Sequence, residues 1–182
     1  MYGKVNEPVT LRRDCAAVAV PEGVDVSLPK GTVGTLTQSL GGNFTIYVRG
    51  HMFRIAGGDA DALGKPPPPE LKLPANATDE DVERLVWEQM KTCYDPEIPV
   101  NIVDLGLIYE CRVEAGSEAA REVFVKMTLT EPSCGMGQYL AHDVKQRIEL
   151  IPTVMVAHVE LVFEPRWTRD RMSPVAHLET GL

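Results

Sequence analysis

Chemistry in this chain is concentrated first at a cysteine placed where a strand gives way to a helix. Thr128-Leu-Thr130-Glu-Pro-Ser-Cys134-Gly135-Met-Gly137 reads as a strand end, a tight turn and a helix start, with Cys134 at the junction. The unbonded N–H groups and positive dipole end of a helix favour a thiolate over a thiol, so a cysteine there gains reactivity without a charged neighbour. The competing role is that of a small apolar residue packed in a core. Thr128 and Thr130, two apart on an extended segment, share one face beside Cys134. They could hydrogen-bond a thiolate or a ligand, or be there only because threonine suits strands.

A second constellation is acidic. Asp95-Pro-Glu97-Ile-Pro99, followed by Asp104-Leu-Gly106-Leu107, places three carboxylates in a proline-stiffened loop that leads into a strand. Carboxylates are oxygen donors for iron and thiolate is the usual sulfur donor for iron-sulfur clusters, so this loop and Cys134 could share a cargo. Turn chemistry competes: Asp before Pro stops helices, and its oxygens cap backbone N–H groups. The histidines offer no obvious base. His142 lies eight residues beyond Cys134, about two helical turns away, and His51 and His158 fall in strand-like contexts as satisfied polar residues. Cys15, Cys93 and Cys111 sit in apolar periodic settings that suit packing, as do Met127, Met136 and Met155. Trp167 and Met172 could cover either the site or the core.

The elements that must position these residues fall on two sides of a proline run. Residues 65–77, beginning Lys65-Pro-Pro-Pro-Pro-Glu, cannot supply ladder hydrogen bonds and read as an extended linker. Before it, residues 1–64 hold short runs rich in Val, Ile, Thr and aromatics, at Leu11–Val20, Val33–Leu40, Phe44–Val48 and Met52–Ile55. Gly41-Gly42 between two of these runs suits a tight hairpin, and about four to six strands in so short a span suggest a small all-β, barrel-like module. After the linker, residues 78–182 change period. Thr78 and Asp81 form a capping-box-like start for a helix over about 79–92, with Val82, Leu85, Val86 and Met90 on its apolar stripe. Leu107–Glu114 and Glu122–Thr130 predict an antiparallel pair, Leu140, Val144, Ile148 and Ile151 a second helix, and Val154–Glu164 a third strand. The fold class is α+β, with the helix-strand-strand-helix-strand order packing its helices on one face of a small mixed sheet.

Composition narrows the function classes. The 182 residues are 44% hydrophobic with a net charge of -8, which suits a folded domain or two small ones and argues against sequence-independent nucleic-acid binding. No apolar run approaches a membrane span and no leader pattern opens the chain, so the expectation is a cytoplasmic protein with reduced thiols. The four cysteines, Cys15, Cys93, Cys111 and Cys134, show no C-x-x-C spacing, which argues against a self-contained structural metal site.

The motifs also carry a family resemblance. Asp95-Pro-Glu97-Ile-Pro99, Ile102-Val-Asp104-Leu-Gly106-Leu-Ile108-Tyr109 and Met127-Thr-Leu-Thr130, four residues before Cys134, resemble the domain shared by cytosolic iron-sulfur targeting factors and the PaaD assembly protein. Cys134-Gly-Met-Gly137, Val159-Glu-Leu-Val-Phe163 and Trp167 with Arg171-Met-Ser173 resemble more narrowly the SufT proteins. Arg13-Asp-Cys15, Pro21-Glu-Gly23 and Gln38-Ser-Leu-Gly-Gly42 with Phe44-Thr45 resemble the extra domain of long SufT proteins. Pro152-Thr153 departs from the Pro-Gly often found before the last strand of the family.

That resemblance implies an accessory factor in iron-sulfur cluster maturation, acting between a scaffold or carrier protein and a recipient apoprotein. It makes Cys134 the functional thiol and carries Asp95, Glu97, Thr128 and Thr130 onto the pocket beside it; Asp104 and Gly135 are expected to line the same pocket. No stably bound cofactor is implied; iron or a cluster would be transient cargo at Cys134. One thiol cannot fill a four-cysteine shell, so a labile cluster would draw on the second subunit of a homodimer, the carboxylates or an external thiol. Two other classes stay open on the residues alone. In a thiol enzyme, Cys134 would attack an acyl or thioester carbon with the Thr130–Gly137 turn as oxyanion donor. In a structural adaptor, the cysteine would be incidental.

Overall fold

The computed structural model describes residues 4–67, 69–95, 98–116, 120–132 and 135–181. It divides into two units, Met1–Pro69 and Glu70–Leu182, with the boundary inside the proline run.

The first unit is one antiparallel sheet of six strands: β1 (Lys4–Thr10), β2 (Cys15–Val20), β3 (Val24–Leu28), β4 (Val33–Leu40), β5 (Asn43–Val48) and β6 (His51–Ile55), in the order β1-β4-β5-β6-β2-β3. The expected Gly41-Gly42 hairpin is present. Both glycines take positive φ, 57° and 78°, and Leu40 pairs with Asn43 across a two-residue turn. The barrel-like expectation needs correcting: among the described residues β1 and β3 are each paired on one side only, so the ladder has two edges. The predicted run Leu11–Val20 is also two segments, because Leu11–Asp14 leaves the ladder and β2 begins at Cys15. Leu11, Cys15, Leu36, Ile46 and Ile55 form the core with Ala60, Ala62 and Leu63 of a kinked 3-10 segment, Gly57–Leu63. That segment is pinned by the Arg13 guanidinium, which reaches Asp59 at 2.7 Å and Asp61 at 2.6 Å.

The second unit follows the predicted order. Helix α1 (Asp79–Met90) is followed by β7 (Ile108–Ala115), β8 (Arg121–Met127), α2 (Gly137–Glu149) and β9 (Val154–Leu161), and a short α3 (Pro174–Thr180) ends the chain. The capping box at the start of α1 is complete: Thr78 Oγ1 accepts from the Asp81 N–H, and the Asp81 carboxylate accepts from the Thr78 N–H. The sheet is mixed, with β7 antiparallel to β8 and β9 parallel to β8 across the α2 crossover. Val82, Val86 and Met90 of α1 and Leu140, Val144 and Ile148 of α2 share one core with Val123, Val125 and Met127 of β8. The alternate residues of β8, Glu122, Phe124 and Lys126, stay partly exposed on the other face. Met155 departs from its expected packing role: it is 69% exposed, because the β9 alternation turns it outward. Thr153 holds φ at +76°, and its side-chain oxygen accepts from Arg121 at 3.0 Å. No helix among the described residues is long and apolar enough to cross a membrane.

Candidate functional site

The acidic loop begins where α1 stops. The Cys93 N–H donates to the Met90 carbonyl, Tyr94 forms an isolated bridge with Asn101, and the Ile102 N–H returns to the Cys93 carbonyl at 3.0 Å. These bonds bring Tyr94 and Asn101 together. Asp95, only 8% exposed, accepts the Ile98 N–H on its Oδ1 at 3.1 Å, the turn-building role that an Asp before proline can fill. Glu97 lies outside the described residues, as does Cys134.

Asn101 organises the next turn and was not singled out by sequence reasoning. Its Oδ1 accepts the N–H groups of Val103 and Asp104 at 3.1 and 2.9 Å, and its amide donates to Asp104 Oδ2 at 2.5 Å. The available signal was an Asn three residues before an Asp at the head of a turn. Asp104 is thus oriented by Asn101, while Leu105 and Leu107, both fully buried, anchor the loop in the core.

A strap from the C-terminal tail crosses the same loop. The Trp167 indole donates to the Leu105 carbonyl at 2.8 Å, the Ser173 N–H donates to the Asp104 carbonyl at 2.8 Å, and the Tyr109 hydroxyl donates to the Pro165 carbonyl at 2.8 Å. The Arg171 guanidinium lies 4.0 Å from the Tyr109 ring centroid, a cation–π arrangement. Gly106, at φ +70°, passes so close that an added Cβ would stand 2.2 Å from the Arg171 carbonyl oxygen. Of the two residues whose role the sequence left open, Met172 belongs to the core, and Trp167 packs against that core while its indole bonds the Leu105 carbonyl.

The strand end joins this assembly where the Thr128 N–H donates to the Leu107 carbonyl at 2.9 Å. Thr128 is buried and Thr130 half-buried, both just beyond the last ladder residue of β8. Past the turn, Gly135 is exposed and Met136 is the N-cap of α2, with no side-chain capping bond. A Cβ on Gly137 would meet Leu129 Cδ1 at 2.5 Å, so glycine lets the helix start press against the strand end. Backbone bonds thus link the segments carrying Asp95, Asp104 and Thr128, and the chain runs on from Thr128 through Thr130 to Gly135. Among the described residues no group of three or more His, Cys, Asp or Glu side chains is arranged to hold a metal ion.

The remaining thiols are poor candidates for chemistry. Cys15, Cys93 and Cys111 are not in disulfides among the described residues, and Cys15 and Cys93 are buried. Burial pushes the Cys15 thiol up and pushes Cys111 up to about 12, where Glu83 adds to the effect. His142 is exposed on α2, and His158 stacks on Phe124 at 4.7 Å on the partly exposed face of the sheet.

The iron-sulfur cluster assembly protein family matches residues 83–161, from within α1 to the last residue of β9, a span that contains every proposed site residue. An Fe-S protein maturation auxiliary factor of Porphyromonas gingivalis is 43% identical over 104 residues, which make up 57% of this chain and 91% of that protein. The chain belongs to the iron-sulfur cluster assembly protein family. The Fe-S protein maturation auxiliary factor SufT of Staphylococcus aureus is 36% identical over 88 residues, which make up 48% of this chain and 96% of that protein. Among solved structures, a domain of unknown function from Bacillus anthracis is 31% identical with a TM-score of 0.50, and the match covers 57% of this chain and 95% of that domain.

Proposed function

We propose that this protein is a cytoplasmic, non-enzymatic accessory factor that helps pass iron-sulfur clusters from a scaffold or carrier to recipient apoproteins, with Cys134 as the working thiol. The observation that carries this reading is the 43% identity to an Fe-S protein maturation auxiliary factor over 91% of its length. The chemistry is compatible. Cys134 comes three residues before Gly137, the first residue of α2, and the positive dipole end of a helix favours a thiolate. The thiols of Cys15 and Cys111 are pushed the other way by burial.

In this reading the cargo is held briefly. One protein thiolate is too few for a cluster's usual four-sulfur shell, so the cluster stays labile and can move on. Asp95, Glu97 and Asp104 would supply oxygen donors to that cargo, Thr128 and Thr130 hydroxyls, and Gly135, which is exposed, would leave room for it. A second copy of the chain would bring a second Cys134 to a shared cluster.

The test is the activity of a cluster-dependent enzyme such as aconitase in cells lacking this gene, complemented with wild type or Cys134→Ser at equal protein level. Loss on deletion, rescued only by the cysteine form, is the expected result. Equal rescue by Cys134→Ser would remove the thiol from the mechanism. Turnover of a thioester by the purified protein, abolished by the same substitution, would point to a thiol enzyme instead.

A further inference from the structure

The first unit contains an open cleft of about 410 Å³ between the turn joining β3 to β4 and the hairpin joining β5 to β6. Leu28, Val33, Val48 and Phe53 give it apolar walls, and Arg49 and His51 also line it. None of the described lining residues is acidic, although the chain as a whole carries a net charge of -8. Its size falls within the range of about 300–1,000 Å³ usual for small-molecule sites.

The backbone donors of one wall are already used. The Lys30 N–H donates to Asp14 Oδ1 at 2.7 Å, the Gly31 N–H to the Leu11 carbonyl at 2.8 Å, and the Thr32 N–H to the Pro29 carbonyl at 3.1 Å. The Thr32 hydroxyl donates to the same Pro29 carbonyl at 2.7 Å. Among the side chains of the described lining residues, the polar groups besides this hydroxyl are the Arg49 guanidinium and the His51 imidazole. Both are donors, and an anion is the matching partner.

Arg49 is also an unusual residue for its position. Val48 pairs with His51 across a two-residue turn in which Arg49 has φ 49° and Gly50 has φ 95°, the geometry that Asn, Asp or Gly fills at least cost. Nothing in the turn calls for arginine, and its side chain makes no hydrogen bond or ion pair with any described residue. A strained backbone position occupied by an unneutralised cation beside an apolar cleft fits a ligand-binding role.

We propose that this cleft binds a small organic carboxylate, with its apolar body against Val33, Val48 and Phe53 and its carboxylate on the Arg49 guanidinium and the His51 imidazole. The site is independent of the Cys134 reading, which concerns the second unit.

The experiment is a nuclear magnetic resonance titration of the full, isotopically labelled chain with hydrocinnamate, its neutral amide hydrocinnamamide, and acetate. Saturable shifts at the amides of Thr32, Val48 and Phe53 are expected with hydrocinnamate. The amide and acetate should each bind at least about tenfold more weakly, the first lacking the charge and the second the apolar body. Arg49→Asn should keep or raise the thermal midpoint, because asparagine suits this turn, while weakening hydrocinnamate at least about tenfold. No saturation by about 10 mM, equal binding of acid and amide, or undiminished binding to Arg49→Asn would each overturn the proposal. The comparison of acid with amide on the wild-type chain stands even if the variant folds poorly.

Discussion

Cys111 faces Val125 across the β7–β8 ladder, and its burial has a consequence for stability at high pH. The thiol is raised from 9.0 to about 12 in the folded protein, so the native state keeps its proton where the unfolded chain has lost it. A group raised in this way contributes stability that is complete below the unfolded value and is lost as pH rises through the folded one. Denaturant midpoints of the wild type should therefore fall between about pH 9 and 12 more steeply than those of Cys111→Val. Parallel slopes would mean that the thiol is not coupled to folding. The same residue scale shows why part of the site was readable and part was not. Asp95 and Asp104 stood out as carboxylates among prolines, and in the structure both build turns, through the Ile98 N–H and the Asn101 amide. Asn101 did not stand out, because a residue that satisfies three polar groups at once is recognised only when the turn it organises is seen. Thr153 was visible as a departure from the family's glycine, but not that Arg121 would bond its side chain at a φ of +76°.

At the scale of elements, the loop from Asn101 to Leu107 is held by bonds from three directions: the Ile102–Cys93 return, the Thr128 N–H and the tail strap of Trp167 and Ser173. Gly106 is where the strap comes closest. Its φ of +70° already disfavours a side chain, and a Cβ there would stand 2.2 Å from the Arg171 carbonyl, which is backbone and cannot rotate away. Gly106→Ala should lift the strap and cost at least about 1–2 kcal/mol from the left-handed backbone alone, with the contact adding to that. Unfolding would register the loss, and the Trp167 indole N–H should shift as its bond to Leu105 breaks. An unchanged indole signal with full stability would show that the strap is not seated on this glycine. The helices and the three strands of the second unit were legible because period and capping agreed, as at Thr78 and Asp81. The first unit was less so. β1 carries Pro8 and Glu7, and β3 is five residues between two proline-glycine turns, with Val24 exposed, so neither offered a clear apolar alternation. Both are edges of the sheet, where burial on one face is incomplete and the pattern that betrays a strand weakens. The strap was illegible for another reason: its bonds run between backbone carbonyls and residues some 60 positions apart, as from Trp167 to Leu105.

The whole molecule carries its charge unevenly. Residues 1–69 hold seven Lys and Arg against six Asp and Glu, whereas residues 70–182 hold eleven against twenty, so the acidic excess belongs to the second unit. The anion site proposed for the first unit lies in the half of the chain without the acidic excess. The cores divide in the same place. One cluster runs from Val9 to Leu63 and the other from Val82 to Ala176, each closed over residues of its own unit. Leu36, 1% exposed in β4, belongs to the first, and truncating it removes buried methyl groups from the core that the sheet shares with the 3-10 segment. Leu36→Ala should destabilise that unit by about 2–5 kcal/mol. Hydrogen exchange followed by mass spectrometry should then show faster exchange across β1–β6, while peptides from α1 through β9 exchange as in the wild type. Val144→Ala in α2, the reciprocal change, should show the opposite pattern. Acceleration of both halves by either substitution would mean that the two cores unfold as one cooperative block, and the cleft and the thiol would then have to be treated as parts of a single folding unit.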